Sequence, residues 1–372
     1  MKNFCLFVVL FSTSSFIFAQ SAADKEKARE LGMEAIKIMD EGQIEKSIEM
    51  LEKCLELDPE NSAYLYEIGY AHAIQKDYKG AIKIGKQLIK AKDRVGQYFQ
   101  FLGNNYDYNG QPKKAIETYE EGLKIFPKSG MLHVEMGMMQ LLQNDYDAAL
   151  TYWERGIAVD PSYAPNYYRT AQIYAKTPER LWAVMYGELF RNLEPISDRS
   201  FSFSEDLFNA YDESINITSD TSMSVSFVQK INMTVESLMG SVENMKLPFP
   251  LTYGAIMSVS VGLPSLTDSI ESDTTGLTIK KLNQYRTSFI NNWYEKEHHK
   301  DYTNILFTWH KKLMDEGYFE PYNYWLFAMG APEEFKTYFE ANEAAFDEFF
   351  KWFDENAIVI SEDYMFHRVQ YE

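Results

Sequence analysis

The chain has 372 residues, with 36 Lys+Arg against 55 Asp+Glu and a formal net charge of −19. That length accommodates two or three domains, and a hydrophobic fraction of 45% excludes wholesale disorder. The acidic balance, without any Lys/Arg-rich run, argues against a nucleic-acid surface, which needs clustered cations to release counterions. Aromatic residues make up 15% of the chain, so the placement of these rings matters for any functional reading.

At the N-terminus, Lys2 precedes an uncharged apolar run from Phe4 to Phe18 that is interrupted by Ser12, Thr13, Ser14 and Ser15. The run is too short and too rich in serine for a membrane span, and Ala19 offers a small residue for cleavage. Residues 1–19 therefore read as a secretory signal, and the mature chain as exported, periplasmic or secreted, with no integral membrane segment. Cys5 leaves with the signal, and Cys54 is then the remaining cysteine, so no disulfide within the chain is expected. Cys54 reads as a small buried residue.

Self-comparison reveals an internal period. Pro59, Pro127, Pro161 and Pro195 fall on 34-residue steps, with Asp93 at the step that lacks proline. Repeats then start at Ala28, Ser62, Gly96, Gly130 and Ala164. The third carries Phe99, Leu102, Gly103, Tyr106, Ala115, Tyr119 and Gly122; the fourth carries His133, Met136, Gly137, Ala149, Trp153 and Gly156. Large residues at positions 4, 7 and 11 form one helical stripe, and the small residue at position 8 admits a second helix closely. Turns such as Asp77-Tyr78, Asn109-Gly110 and Asn144-Asp145 separate the two helices, A and B, and the proline closes helix B.

These residues resemble the tetratricopeptide repeat family, in phase over five repeats and residues 28–197. The resemblance implies a solenoid whose A helices line a concave groove that takes a peptide or protein segment. The groove positions it assigns here include Tyr66, Tyr70, Gln100, Asn104, Tyr108, Met138, Tyr168 and Gln172. Amides interleaved with tyrosines suit an extended backbone, since amides pair with peptide groups and tyrosine gives contact area at low entropic cost. The Lys/Asn/Arg clamp that some members use for a terminal carboxylate is not supported, because Gly32 and Ile36 stand at the corresponding early positions. An alternative reading has the chain's own C-terminal half occupying the groove.

After Pro195 the composition becomes rich in Ser and Thr. Val228, Ile231, Val235, Leu238 and Val242 give helical spacing over 224–245, while Met223, Val225 and Phe227 also fit a strand; the length favours the helix. Leu247 to Thr267 lacks charge but is cut by Pro248, Pro250 and Pro264, so a buried element is expected. Helical stripes follow at Leu282, Tyr285, Phe289 and Trp293, then at Ile305, Leu306, Trp309 and Leu313. Pro321 to Met329 forms a short aromatic helix. Pro332 then opens one long helix, with Phe335, Phe339, Phe346, Phe350 and Phe353 inward and Glu334, Glu343 and Asp347 outward.

The fold class is therefore all-α: a signal peptide over 1–19, an α-solenoid over 20–197 and an aromatic-rich helical domain over 198–372. Function reads as a non-enzymatic interaction scaffold or adaptor, with no cofactor, no metal site, and a protein or peptide partner rather than nucleic acid. No Gly-x-Ser-x-Gly, His-Glu-x-x-His or Gly-rich phosphate loop is present. His298, His299 and His310 lack i, i+4 ligand spacing, and Glu297 to Asp301 reads as a solvated turn. The alternative function is a glycan-associated binding protein using Trp309, Tyr318, Tyr322, Tyr324 and Trp325; stripes of rings at helical spacing can equally be core. Asp268-Ser269-Ile270, Asp273-Thr274-Thr275, Asn216-Ile217-Thr218 and Asn232-Met233-Thr234 match short glycosylation patterns.

Overall fold

The computed structural model describes residues 5–219, 222–229, 247–267, 276–361 and 364–371, with side chains described outside 5–21, 218, 219, 222 and 263–267. It divides into two compact units, Met1–Met139 and Gln140–Glu372. The division falls inside the fourth repeat, although the repeat pattern itself runs on to Pro195. Two of the glycosylation-like tripeptides, at 268 and 273, and the Asn232 site lie outside the described residues, as do 230–246 of the helix expected over 224–245.

The first unit is made of helix pairs: α1 (Cys5–Asp40) with α2 (Ile44–Leu57), α3 (Ser62–Ile74) with α4 (Tyr78–Leu88), and α5 (Gly96–Tyr108) with α6 (Pro112–Ile125). The start of α7 (Gly130–Leu142) completes it. Each pair is a repeat, and the close approach of its helices depends on the small residues at fixed steps. A Cβ on Gly103 would lie 2.1 Å from Cε1 of Tyr119, whose ring is buried, and one on Gly122 would lie 2.8 Å from Phe99 Cβ. Tyr64, Ile68, Ile84, Leu88, Tyr98 and Phe101 fill the core around Cys54, whose thiol donates to Ala28 O at 3.3 Å. Asp93, where the other repeats have proline, is a capping group instead: its Oδ2 accepts the Ser62 amide at 3.1 Å, tying the end of one repeat to the start of helix A.

The turn between A and B has one recurrent feature. Gly42, Lys76, Gly110 and Asn144 occupy equivalent positions, and all have positive φ, at 85°, 61°, 72° and 61°. A left-handed residue there reverses the chain within three residues. Glycine adopts it without steric cost and asparagine with little, whereas lysine does not.

In the second unit the fourth and fifth repeats continue as α8 (Tyr146–Val159), α9 (Ala164–Ala175) and α10 (Arg180–Leu193). Then follow α11 (Asp198–Asp212), β1 (Ile215–Ser219) and β2 (Ser222–Val225), α12 (Phe249–Thr267), α13 (Ile279–Glu295) and the short α14 (His298–Asp301). The chain finishes with α15 (Ile305–Asp315), α16 (Phe319–Leu326), α17 (Pro332–Ala341), α18 (Glu343–Glu355) and a 3₁₀ turn at Arg368–Tyr371. One hydrophobic core extends without a break from Tyr167 and Leu181 to Phe353 and Phe366. α10 lies at its centre: every residue from Leu181 to Asn192 is buried. None of the described helices is long and apolar enough to cross a membrane.

Three expectations from the sequence are corrected. Residues 222–225 form a strand rather than the start of a helix, pairing antiparallel with β1 in the register Ile215↔Val225 and Ile217↔Met223. The period-two alternation prevails there because it lets Ile215 and Phe227 turn into the core beside Tyr211. The long helix from Pro332 is two helices. Asn342 leaves helical dihedrals and turns its Nδ2 back onto Tyr338 O at 2.8 Å, and the break lets Phe346 fold against Phe335, Tyr338 and Phe339. On α18, Phe350 is exposed and Phe349 takes the inner place, while Glu334 turns in to cap α13 through the Ile279 and Lys280 amides at 2.7 and 2.9 Å.

Replacing the exposed Lys76 by glycine removes the left-handed strain and leaves no contact unfilled. Lys76→Gly is expected to raise stability by up to about 1 kcal/mol, the steric relief being partly offset by glycine's greater unfolded-state freedom. An unchanged or lower urea midpoint would contradict this.

Candidate functional site

In the first unit the A helices α3, α5 and α7 carry the anticipated contact residues Tyr66, Tyr70, Gln100, Asn104, Tyr108 and Met138. Tyr66 and Tyr70, one turn apart, stack with ring centroids 6.5 Å apart and planes at 7°. Tyr66 is wedged against Tyr98 and Phe101, and its hydroxyl accepts from Gln97 Nε2 at 3.0 Å. Tyr70 stays 45% exposed. Gln100 reaches the next repeat, donating to Glu135 at 2.7 Å, and Asn104 Oδ1 accepts from the buried Tyr119 hydroxyl. Tyr108, 65% exposed, leans on Tyr78 at 5.6 Å. Met138 is half-buried at the edge of this unit.

Two consequences follow for recognition. The carbonyl of Asn104 and the amide of Gln100 are already engaged, so they set the shape of the face while the outer rings of Tyr70 and Tyr108 remain free to cover a ligand. Electrostatically the face is negative. Burial and the nearby charge of Asp40 raise the carboxyl pKa of Glu67, and burial, with the charges of Glu135 and Asp107, raises that of the Tyr119 hydroxyl.

In the second unit, Tyr168 and Gln172 are joined to each other, Gln172 Nε2 donating to the Tyr168 hydroxyl at 2.9 Å. Tyr168 packs on Phe190 and Phe203 beneath the guanidinium groups of Arg169 and Arg199, so its ring belongs partly to the core. Four of the five rings proposed for a glycan site are corrected, and the fifth, Tyr318, is half-buried against Trp352. Trp309, Tyr322, Tyr324 and Trp325 are buried. Trp325 is sandwiched against Phe353 and the Arg191 guanidinium, 4.3 Å from its centroid, and Tyr324 stacks on Tyr338 at 3.5 Å. Helical spacing put these rings inside because they are the largest apolar surfaces available to close the core. The three histidines separate: His299 stacks on Tyr294, His298 lies beside Trp293, and His310 is buried elsewhere. Glu297 adopts a left-handed conformation ahead of α14.

His310 belongs to a polar cluster that sequence reasoning missed. Glu188, on α10 and 0% exposed, accepts from Arg286 of α13 at 2.5 Å and from the Tyr322 hydroxyl of α16 at 2.8 Å, with His310 Nε2 of α15 at 2.6 Å. Asn192 donates to the same tyrosine oxygen at 2.7 Å. Arg286 and His310 hold the Glu188 carboxyl down at about 2 in spite of burial. Burial pushes the His310 imidazole below its usual value, because Arg286 already neutralises the carboxylate. The signal for this cluster was a glutamate in the otherwise apolar Leu181–Phe190 run, where an unpaired carboxylate could not be buried. A second such anchor joins Glu154 of α8 to Arg368 near the C-terminus at 3.0 Å, with Tyr174 and Tyr186 also donating to that carboxylate.

Residues 34–94 and 102–177 match the tetratricopeptide repeat family, and this segment is a tetratricopeptide repeat array. BBSome complex member BBS4 of Mus musculus is 24% identical over 121 residues, 32% of this chain and 23% of that protein. Small glutamine-rich tetratricopeptide repeat-containing protein 2 of Mycosarcoma maydis is 29% identical over 112 residues, 30% of this chain and 32% of that protein. The chain thus spans about a quarter to a third of these relatives. Among solved structures, a thermophilic TPR protein of Thermus thermophilus aligns with a TM-score of 0.41 at 15% identity over 48% of this chain and 98% of that one. Repeats of this family are protein-interaction scaffolds, typically without catalysis.

Glu188, Arg286, His310 and Tyr322 lie beyond the matched residues, and their charge state has a direct consequence. A histidine whose folded pKa is depressed contributes stability above its ordinary value near 6.5 and loses it as the pH falls below. Glu188 acts in the same direction at lower pH, on the order of 3 kcal/mol between about 4.5 and 2. In a histidine ¹⁵N NMR titration, His310 is expected to titrate below the ordinary midpoint near 6.5. A midpoint above 6.5 would mean that the attraction of Glu188 outweighs burial and Arg286 together.

Proposed function

We propose that the chain is an exported, non-enzymatic scaffold or adaptor that holds a protein or peptide segment along the A-helix face of its repeats. The observation that carries this reading is the placement of Tyr70 and Tyr108. Their rings stand exposed on helices whose other faces are packed, and neither is needed to fill the core. Large amphipathic rings left in water next to amide groups are the composition of contact surfaces. The buried state of the C-terminal rings leaves no comparable surface among Trp309, Tyr322, Tyr324 and Trp325.

Pull-down from an envelope extract tests the reading directly. A partner recovered with the wild-type chain is expected to be lost with Tyr70→Ala/Asn104→Ala/Tyr108→Ala, at unchanged helical circular dichroism. Equal recovery of every partner would reject binding on this face.

The reading includes export through residues 1–19, supported by the basic start and the apolar run ending at Phe18. Fractionation of cells expressing the full chain is expected to place it outside the cytoplasm, shorter than its translated length at the N-terminus. A chain of full length retained in the cytoplasm would exclude export.

A further inference from the structure

In the first unit the A helix α1 carries Arg29 and Lys37, but the three A helices that follow differ from their B helices in charge. Helices α3, α5 and α7 contain no lysine or arginine, whereas the B helices carry Lys46 and Lys53 on α2, Lys79, Lys83 and Lys86 on α4, and Lys113, Lys114 and Lys124 on α6. With eight lysines on the B helices, their absence from three successive A helices keeps the stretch of the A-helix row from α3 to α7 without lysine or arginine.

That face also offers π surfaces. The stacked pair Tyr66–Tyr70 sits beside Glu67, whose carboxyl feels the charge of Asp40. One repeat on, exposed Tyr108 accompanies Asp107 and Glu135, whose charges act together on the Tyr119 hydroxyl. Each patch thus pairs an exposed aromatic ring with two carboxylates. The rings and the carboxylates are independent features, and each attracts the same kind of group. The negative face of an aromatic ring draws a cation, and a neighbouring carboxylate provides its counter-charge. Between the patches, Gln97 and Gln100 supply neutral polar surface, and Ile36 and Ile74 are exposed apolar side chains at the near end.

From this distribution we infer that the A-helix face selects an extended protein segment bearing lysine or arginine side chains among apolar residues, with Tyr70 and Tyr108 as the cation-contacting rings. The inference rests on the groove reading given above and specifies its ligand. The chain's overall negative charge adds a long-range attraction for such a segment, and an acidic segment would meet repulsion at both patches.

Panning phage-displayed random dodecapeptides on the full chain tests it, with the selected sequence resynthesised and its binding measured calorimetrically at low and high salt. The selected peptides are expected to be enriched in Lys and Arg, depleted in Asp and Glu, and weakened by salt. Affinity is expected to fall about tenfold or more with Tyr70→Ala/Tyr108→Ala, and about threefold or more with Glu67→Gln/Asp107→Asn. All four residues lie at exposed or half-buried positions, and circular dichroism verifies the fold of each variant. Selection of neutral or acidic peptides whose binding is lost with the tyrosine pair would overturn the cation preference and leave the groove reading standing. Peptides indifferent to the tyrosine pair, or no selection at all, would overturn both.

Discussion

A carboxylate buried in an apolar helix is the constraint around which the second half of this protein is arranged. Glu188 sits in the middle of α10, where no side is exposed, and an uncompensated charge there would cost several kcal/mol. It is compensated by groups from three other helices: Arg286 from α13, His310 from α15 and Tyr322 from α16. Those helices cannot slide or exchange places without leaving the carboxylate unpaired. Apolar packing among so many similar rings would tolerate several arrangements; the polar cluster selects one. Glu154 with Arg368, and Glu334 at the start of α13, extend the same logic to the C-terminal turn and to α17.

The repeats rely on a different constraint, the distance at which two backbones can approach. Gly103 and Gly122 are small because a buried ring occupies the space a larger side chain would need, and this need recurs with the period. For that reason the array was legible from sequence: period, stripe, small residue and turn all report the same local geometry. Asp93 is informative in this respect. It breaks the proline pattern, yet it performs a boundary function by capping the first helix of its own repeat, α3, through Ser62.

Legibility declined where structure depends on residues far apart in the chain. Aromatic spacing after Thr278 located the helices correctly but could not tell a ring in a cleft from a ring in a core, and Trp325 and Tyr322 proved to be core. Nor could it reveal that Asn342 ends a helix, since the reason is the folding back of Phe346 onto Phe335 and Phe339. The glutamate at 188 was passed over, although it interrupts the apolar Leu181–Phe190 run, and nothing local marks Arg286 or Tyr322 as its partners. On the A-helix face the anticipated residues were placed together, and what sequence alone left out was that Gln100 and Asn104 are held by Glu135 and Tyr119.

The separation along the chain between Glu188 and its partners has a consequence for how the molecule is made. Arg286 follows it by 98 residues, His310 by 122 and Tyr322 by 134. During synthesis the first repeats emerge with their partners close behind and can order locally, as arrays of near-neighbour contacts do. The fifth repeat cannot. Its second helix, α10, carries a charge that favours water until Arg286, His310 and Tyr322 are within reach. The carboxylate that fixes the finished arrangement thus ties the burial of α10 to residues 98 to 134 positions further along the chain.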